Sequence, residues 1–212
     1  MSQDLCHSSD VAFTPAVKEI QKRKGSRRAY AHMEESGSWA TRVPPHLAKY
    51  IAAQRSVFLA TANGLGQPYV QHRGGPPGFI HVLDDQHLAF ADFAGNRQYI
   101  TQGNLLENNK VLLFLIDYSR VTRVKIWGTG RVIEGDEDLM RQLAPPDYKA
   151  RVEQVLVIEV SAWDINCPKH IPRRFEEEEV AALLQARDEQ IEHLRTQVRL
   201  LTSELESRGK TS

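Results

Sequence analysis

The sequence predicts a mainly β chain: an antiparallel barrel, closed or partly closed, with flanking helices and a long C-terminal helix. Three observations carry this. Between Ser56 and Val160, six or seven short apolar or alternating segments follow one another with few helical segments between them. Turn clusters such as Asn63-Gly64-Leu65-Gly66 and Asp84-Asp85 separate neighbours at hairpin distance. Past residue 176, apolar residues recur in alternating steps of three and four. Consecutive strands manage their exposed edges best by curling into a barrel.

Composition supports a packed core. Of 212 residues, 41% are hydrophobic and 25% charged, which excludes wholesale disorder. Lys+Arg and Asp+Glu both number 27, and this balance argues against a protein that coats nucleic acid or an anionic membrane. The two cysteines, Cys6 and Cys167, are too few and too far apart for a disulfide framework or a metal spacing. The eight histidines are scattered, without a metal-ligand pattern. Met1 to Asp10 is polar and has no signal-like pattern, and no apolar run approaches the ~20 residues of a membrane span. A cytoplasmic location is expected.

The elements follow in order. Thr14-Pro15 reads as an N-cap with Pro at the first helical position, and Gly25 as the stop after about Lys24. Ser26 to Tyr30 opens a second helix and Pro44-Pro45 a third. Ser56–Thr61 and Gln67–Gln71 form a hairpin; Gly78–Val82 and His87–Ala91 form another. Asn96–Leu106 has helical spacing, with Asn96 as cap and Tyr99, Ile100 and Gly103 on one face. Lys110–Ile116 is a continuous apolar run of the kind buried on both faces. Val121–Ile133 is a long strand in which Gly128 and Gly130 suggest a bend or bulge. Asp136–Leu143 is a short helix, and Val155–Val160 is the last strand.

The tail starts with the acidic run Glu176 to Glu179, which suits a helix N-terminus. Ile191, Val198 and Leu205 then fall in one heptad slot, and Leu194 and Leu201 in the other, with Arg187 occupying one position. β-branched residues in the first slot with Leu in the second favour a two-stranded parallel coil. The alternative is an amphipathic helix lying on its own barrel. Residues 1–175 are expected to form the barrel domain with its N-terminal helices, and 176–212 the C-terminal helix.

Four segments carry candidate chemistry. Asp92-Phe93-Ala94-Gly95-Asn96-Arg97 runs from a strand into a helix, where free N–H groups attract an anion and Arg97 adds a fork suited to phosphate. Read alone, this is an ordinary helix cap with a solvated Arg. Gln71-His72-Arg73-Gly74 ends a strand before a Gly/Pro loop; Arg73 is placed to join Arg97 on one phosphate, and Gln71 or His72 to bond a heterocycle edge. Alternation puts Arg123, Lys125, Trp127, Thr129 and Arg131 on one face. Trp163 to Phe175 is dense in polar and basic groups and holds two prolines; Cys167 beside Lys169 and His170 is either a thiol of lowered pKa or, more simply, a small buried residue.

Taken in order, these motifs resemble the pyridoxamine 5′-phosphate oxidase-like family of split barrels that bind flavin mononucleotide (FMN). The matching pieces are Phe58-Leu59-Ala60-Thr61 with Gly66-Gln67-Pro68, then Arg73-Gly74-Gly75-Pro76-Pro77-Gly78-Phe79. Asp92 to Arg97 with Asn104-Leu105 follow, then Arg123-Val124 through Gly128-Thr129-Gly130, and last Asn166-Cys167-Pro168-Lys169. The resemblance covers roughly residues 12–175 and excludes the tail. It implies a split β-barrel, an FMN cofactor and a homodimer with sites at the subunit interface. It places Gln71, His72, Arg73 and Gly74, with Asp92, Gly95, Asn96, Arg97 and Gln98, on the flavin edge and phosphate. Trp127, Asn166, Lys169 and Arg173 would come from the partner or close over the ring. The implied function is flavin-dependent oxidoreduction of a small, planar substrate, with His72 or Lys169 assisting proton transfer. The alternative is a non-catalytic module for flavin, haem or deazaflavin. The strand ending Gln71-His72-Arg73-Gly74 and the heptad tail depart from the vitamin B6 oxidase itself and point away from that reaction.

Overall fold

The structure, a computed structural model, describes residues 6–146, 148–166 and 168–209. They fall into two compact units: residues 1–117 with 122–170, and residues 118–121 with 171–212.

The first unit opens with a 3-10 turn at Ser8–Val11 and helix α1, Pro15–Lys24. Thr14 Oγ1 accepts from the Val17 amide at 3.3 Å, and Gly25 ends the helix in the left-handed region at φ +80°. Helices α2 (Arg27–Glu35) and α3 (Pro45–Ala52) follow. Buried Glu34 ties α2 to α1 through ion pairs from Arg27 and Lys18. Burial pushes the Glu34 carboxyl up, yet the two cations outweigh it and hold the group below its ordinary value.

Seven strands make one antiparallel sheet: β1 (Ser56–Ala62), β2 (Pro68–Gly74), β3 (His81–Val82), β4 (His87–Phe93), β5 (Lys110–Asp117), β6 (Thr122–Ile133) and β7 (Val152–Asn166). Helix α4 (Ile100–Glu107) joins β4 to β5, and α5 (Glu137–Leu143) joins β6 to β7. The spatial order is β2-β1-β5-β6-β7-β4-β3. Alternate residues point inward: Val57 and Leu59, Leu113 and Leu115, Val124 and Ile126, Leu156 and Ile158, Leu88 and Phe90 share one core with Leu47 and Ile51 of α3. One core fed by both ends of the sheet requires that the sheet curl round on itself. The ends meet where Arg73 of β2 reaches Asp92 of β4 at 2.5 Å, although four strands separate β2 from β4 in the sheet order. Among the described residues no ladder joins these two strands. This is an antiparallel barrel split between β2 and β4, as expected.

Several local expectations change. The helix expected from Asn96 starts only at Ile100, and its cap position is Tyr99. Arg97 at φ +59° and Tyr99 at φ +51° are left-handed, which breaks any helical path through 96–99. The buried face of α4 is Thr101, Asn104 and Leu105, while Tyr99 and Ile100 are exposed. The β5 run is not buried on both faces. Val111, Leu113 and Leu115 enter the core, and Leu112 and Phe114 lie half-buried beside Trp127 and Phe58 on the outer side. The last strand continues past Val160 to Asn166, because Trp163 to Asn166 stay paired with β6. The strand expected at Gly78–Val82 shrinks to His81–Val82, with Gly78 at φ +90°.

The β6–β7 register shifts between Trp127 and Gly128, which face Ala162 and Val160, so the extra residue of the bulge, Ser161, stands in β7 opposite the expected glycine position. A Cβ on Gly128 would sit 2.1 Å from the Glu159 carbonyl oxygen, so only glycine lets β7 approach here. The second unit contains α6, Glu177–Gly209, with Glu177, Glu178 and Glu179 in its first turn. Within the same unit the Arg174 guanidinium lies 4.6 Å from the centre of the Tyr118 ring. No helix among the described residues is long and apolar enough to cross a membrane.

Gly128→Ala forces β6 away from β7 and is expected to destabilise the fold by roughly 1–3 kcal/mol. Urea denaturation measures this, and a midpoint equal to wild type would show that the close approach is dispensable.

Candidate functional site at the barrel split

The site begins where β4 ends. The Ala94 amide bonds to the Arg151 carbonyl at 2.9 Å, which anchors the chain as it leaves the sheet. Gly95 to Gln98 then cross to α4, with Asn96 Oδ1 accepting from the Gln98 amide at 3.3 Å. Two left-handed residues other than glycine, Arg97 and Tyr99, lie within three positions, each held at a cost of about 1–3 kcal/mol. Tyr99 is fixed across the cleft by its hydroxyl, which donates to Glu153 Oε1 of β7 at 2.9 Å; this bond pushes its phenol pKa up. Arg97 is exposed and makes no ion pair among the described residues.

Beneath this turn lies a buried polar shelf. Asp92 and Gln154 are register partners on β4 and β7. Asp92 Oδ1 takes the Arg73 guanidinium at 2.5 Å, and Asp92 Oδ2 accepts from Gln154 Nε2 at 2.9 Å. Asp92 and Gln154 are only 7% and 5% exposed. The shelf is not fully satisfied: Arg73 Nε and Gln154 Oε1 are buried without a hydrogen-bond partner. Each such orphan costs about 1–3 kcal/mol unless something else bonds it. Two further bonds tie α4 over the shelf: Thr101 Oγ1 donates to Gln71 Oε1 at 2.8 Å, and Asn104 Nδ2 donates to Thr61 Oγ1 at 2.9 Å.

Seven residues singled out from sequence therefore line one open cleft: Gln71, Arg73, Asp92, Gly95, Asn96, Arg97 and Gln98. His72 and Gly74 border an adjoining hollow with Phe79, Phe90 and Phe93. His72 Nε2 is engaged by Ser56 Oγ at 2.7 Å, and its ring meets Phe58 edge-on. Trp127 lies elsewhere, stacked on Trp39 at 4.7 Å and 16°. Lys169 is exposed in a turn, and Arg173 belongs to the second unit. Asn166 pairs through its backbone with Arg123; its side chain and Cys167 lie outside the described residues. Sequence reasoning missed Tyr99, Glu153 and Gln154. Gln154, directly before the last apolar run, was visible as a polar residue at a strand entrance, but its register opposite Asp92 was not.

The cleft is shallow, enclosing about 50 Å³. Sites that engulf a heterocyclic ligand measure about 300–1,000 Å³, so this cleft by itself does not engulf one.

An antiparallel barrel split between two strands, with a polar cleft at the split, defines the class: this is a split-barrel protein. The family model for pyridoxamine 5′-phosphate oxidase matches residues 43–167, more than half of the chain, and the chain belongs to that family. No curated protein matches it. Among solved structures it is similar to HupZ of Group A Streptococcus, at 18% identity over 62% of this chain and 99% of that one, with a TM-score of 0.46. It is also similar to an FMN-binding protein from Syntrophomonas wolfei, at 12% identity over 72% of this chain and 97% of that one, TM-score 0.43. A third is a Clostridium acetobutylicum protein related to general stress protein 26, of the pyridoxinephosphate oxidase family, at 14% identity, 60% and 89% coverage, and TM-score 0.40.

Asp92→Ala strips the counter-charge from buried Arg73 and the acceptor from Gln154. It is expected to lower unfolding free energy by about 3 kcal/mol. Chemical denaturation checks this; a loss below about 0.5 kcal/mol, the level of an exposed pair, would show that the barrel does not depend on the bridge.

Proposed function

We propose that the chain binds FMN in the cleft at the barrel split and acts as a flavin-dependent oxidoreductase on a small substrate. The observation that carries this reading is the pairing of an unneutralised Arg97 on a strained turn with an unsatisfied donor and acceptor directly beneath. A phosphate needs a cation and free N–H groups, which Arg97 and the α4 N-terminus provide. Arg73 is already spent on Asp92, so the phosphate charge falls to Arg97. A flavin's ribityl chain and ring edge carry both donors and acceptors, which suits the orphaned Arg73 Nε and Gln154 Oε1. The residues present thus fit the group. When bound, the flavin supplies the redox chemistry. The chain's own residues anchor, orient and shield.

A second copy of the chain completes the site in this reading. The cleft encloses about 50 Å³, too little to engulf the cofactor. Phe58, Leu112, Phe114 and Trp127 form a half-buried apolar strip on the outer sheet face, a surface that a partner covers. Trp127 and Lys169, which do not line the cleft of their own chain, would then approach the cleft of the other.

FMN titration followed near 450 nm tests the reading. Arg97→Ala removes a charge-assisted contact of about 1.5–3 kcal/mol, so its Kd should rise roughly 10- to 150-fold, and Arg97→Lys should recover part of the loss. Bleaching of the bound flavin by a nicotinamide donor, with recovery in air, is expected of an oxidoreductase. A wild-type chain that does not take up FMN would sink the proposal.

A further inference from the structure

Every described side chain of α6 is exposed, and its apolar residues are ordered. Leu184, Ile191, Val198 and Leu205 recur every seventh residue, and Leu194 and Leu201 fill the slot three residues after Ile191 and Val198. These six are 41–69% exposed. They make one stripe along the helix, roughly 33 Å long at ~1.5 Å per residue. A solvated helix of polar faces needs no such stripe; a helix with a helical partner does.

We propose that the stripe is an interface with α6 of a second copy of this chain, the two helices running parallel and in register as a short coiled coil. Ile191 and Val198 in the first slot with Leu194 and Leu201 in the second is the arrangement that favours two parallel strands. Arg187 occupies the Leu slot one heptad earlier. In parallel, in-register pairing the two Arg187 side chains meet at the seam, each with Asp188 of the other copy beside it to offset their like charge. Antiparallel pairing sets the first slot of one helix against the second slot of the other, so that Ile191 faces Leu194 and Arg187 faces Val198. The slot composition, and not Arg187, therefore favours the parallel geometry.

Disulfide trapping in the full-length protein tests this without reference to flavin. A parallel, in-register pair brings the two Leu201 positions face to face, within the 4.4–6.8 Å Cα separation that a disulfide spans. Ser203 points to the opposite side of the helix. Under mild oxidation, Leu201→Cys should yield a covalent dimer, reversed by reductant, at least ~10-fold faster than Ser203→Cys, with wild type as the background for Cys6 and Cys167. Equal rates at the two positions, or no dimer from Leu201→Cys, would overturn the proposal. The helix would then be free, antiparallel, or reserved for a different protein.

Discussion

The barrel is shut at its split by an ion pair and not by a ladder. β2 ends the sheet on one side and β4 stands next to the last strand on the other, and Arg73 reaches Asp92 across the gap. Everything at the cleft depends on that bridge. It holds the two strand ends that carry the candidate ligand groups, and it consumes the charge of Arg73. Among the described residues that line the cleft, the cation outside an ion pair is Arg97. The bridge also recruits Gln154 from β7, so three strands distant in sequence share one buried carboxylate. Buried pairs of this sort contribute less to stability than to fixing one arrangement, because desolvation offsets much of their attraction.

The cleft combines two kinds of stored cost. Arg97 and Tyr99 occupy left-handed backbone that their side chains disfavour, and Arg73 and Gln154 each bury one polar atom without a partner. A fold tolerates such costs where surrounding contacts over-determine the geometry. Here those contacts are Tyr99 on Glu153, Thr101 on Gln71 and Asn104 on Thr61. They pin the turn and α4 to three different strands. A ligand that bonds the orphaned donor and acceptor recovers part of that cost on binding, which is the physical meaning of a preorganised site.

Local chemistry was legible in the sequence. Thr14, Pro15 and Gly25 bound α1 because caps act within a single turn. The Asn63-Gly66 hairpin and the bulge opposite Gly128 were readable for the same reason: glycine and asparagine act where they stand. What escaped was set by distant partners. The start of α4 shifts to Ile100 because Tyr99 answers to Glu153, 54 residues away. β7 runs on through Trp163 because Trp163 bridges Ala40 and its indole N–H donates to Arg42 O at 2.7 Å. The outer face of β5 is open because its neighbours there are Phe58 and Trp127, a relation only the sheet order reveals. Of the candidate site, the phosphate-side residues were visible as a motif, while Gln154 and Glu153 were invisible without the register of β4 on β7.

The central claim is that the gap between β2 and β4 is where the ligand sits. A crystal structure of the full chain grown with FMN tests it most directly. The phosphate is expected within hydrogen-bond distance of Arg97 and the α4 N-terminus, with polar ligand atoms on Arg73 Nε and Gln154 Oε1. FMN density at the His87–Glu159 hollow on the other side of the sheet, or none at the split in crystals soaked to saturation, would contradict it.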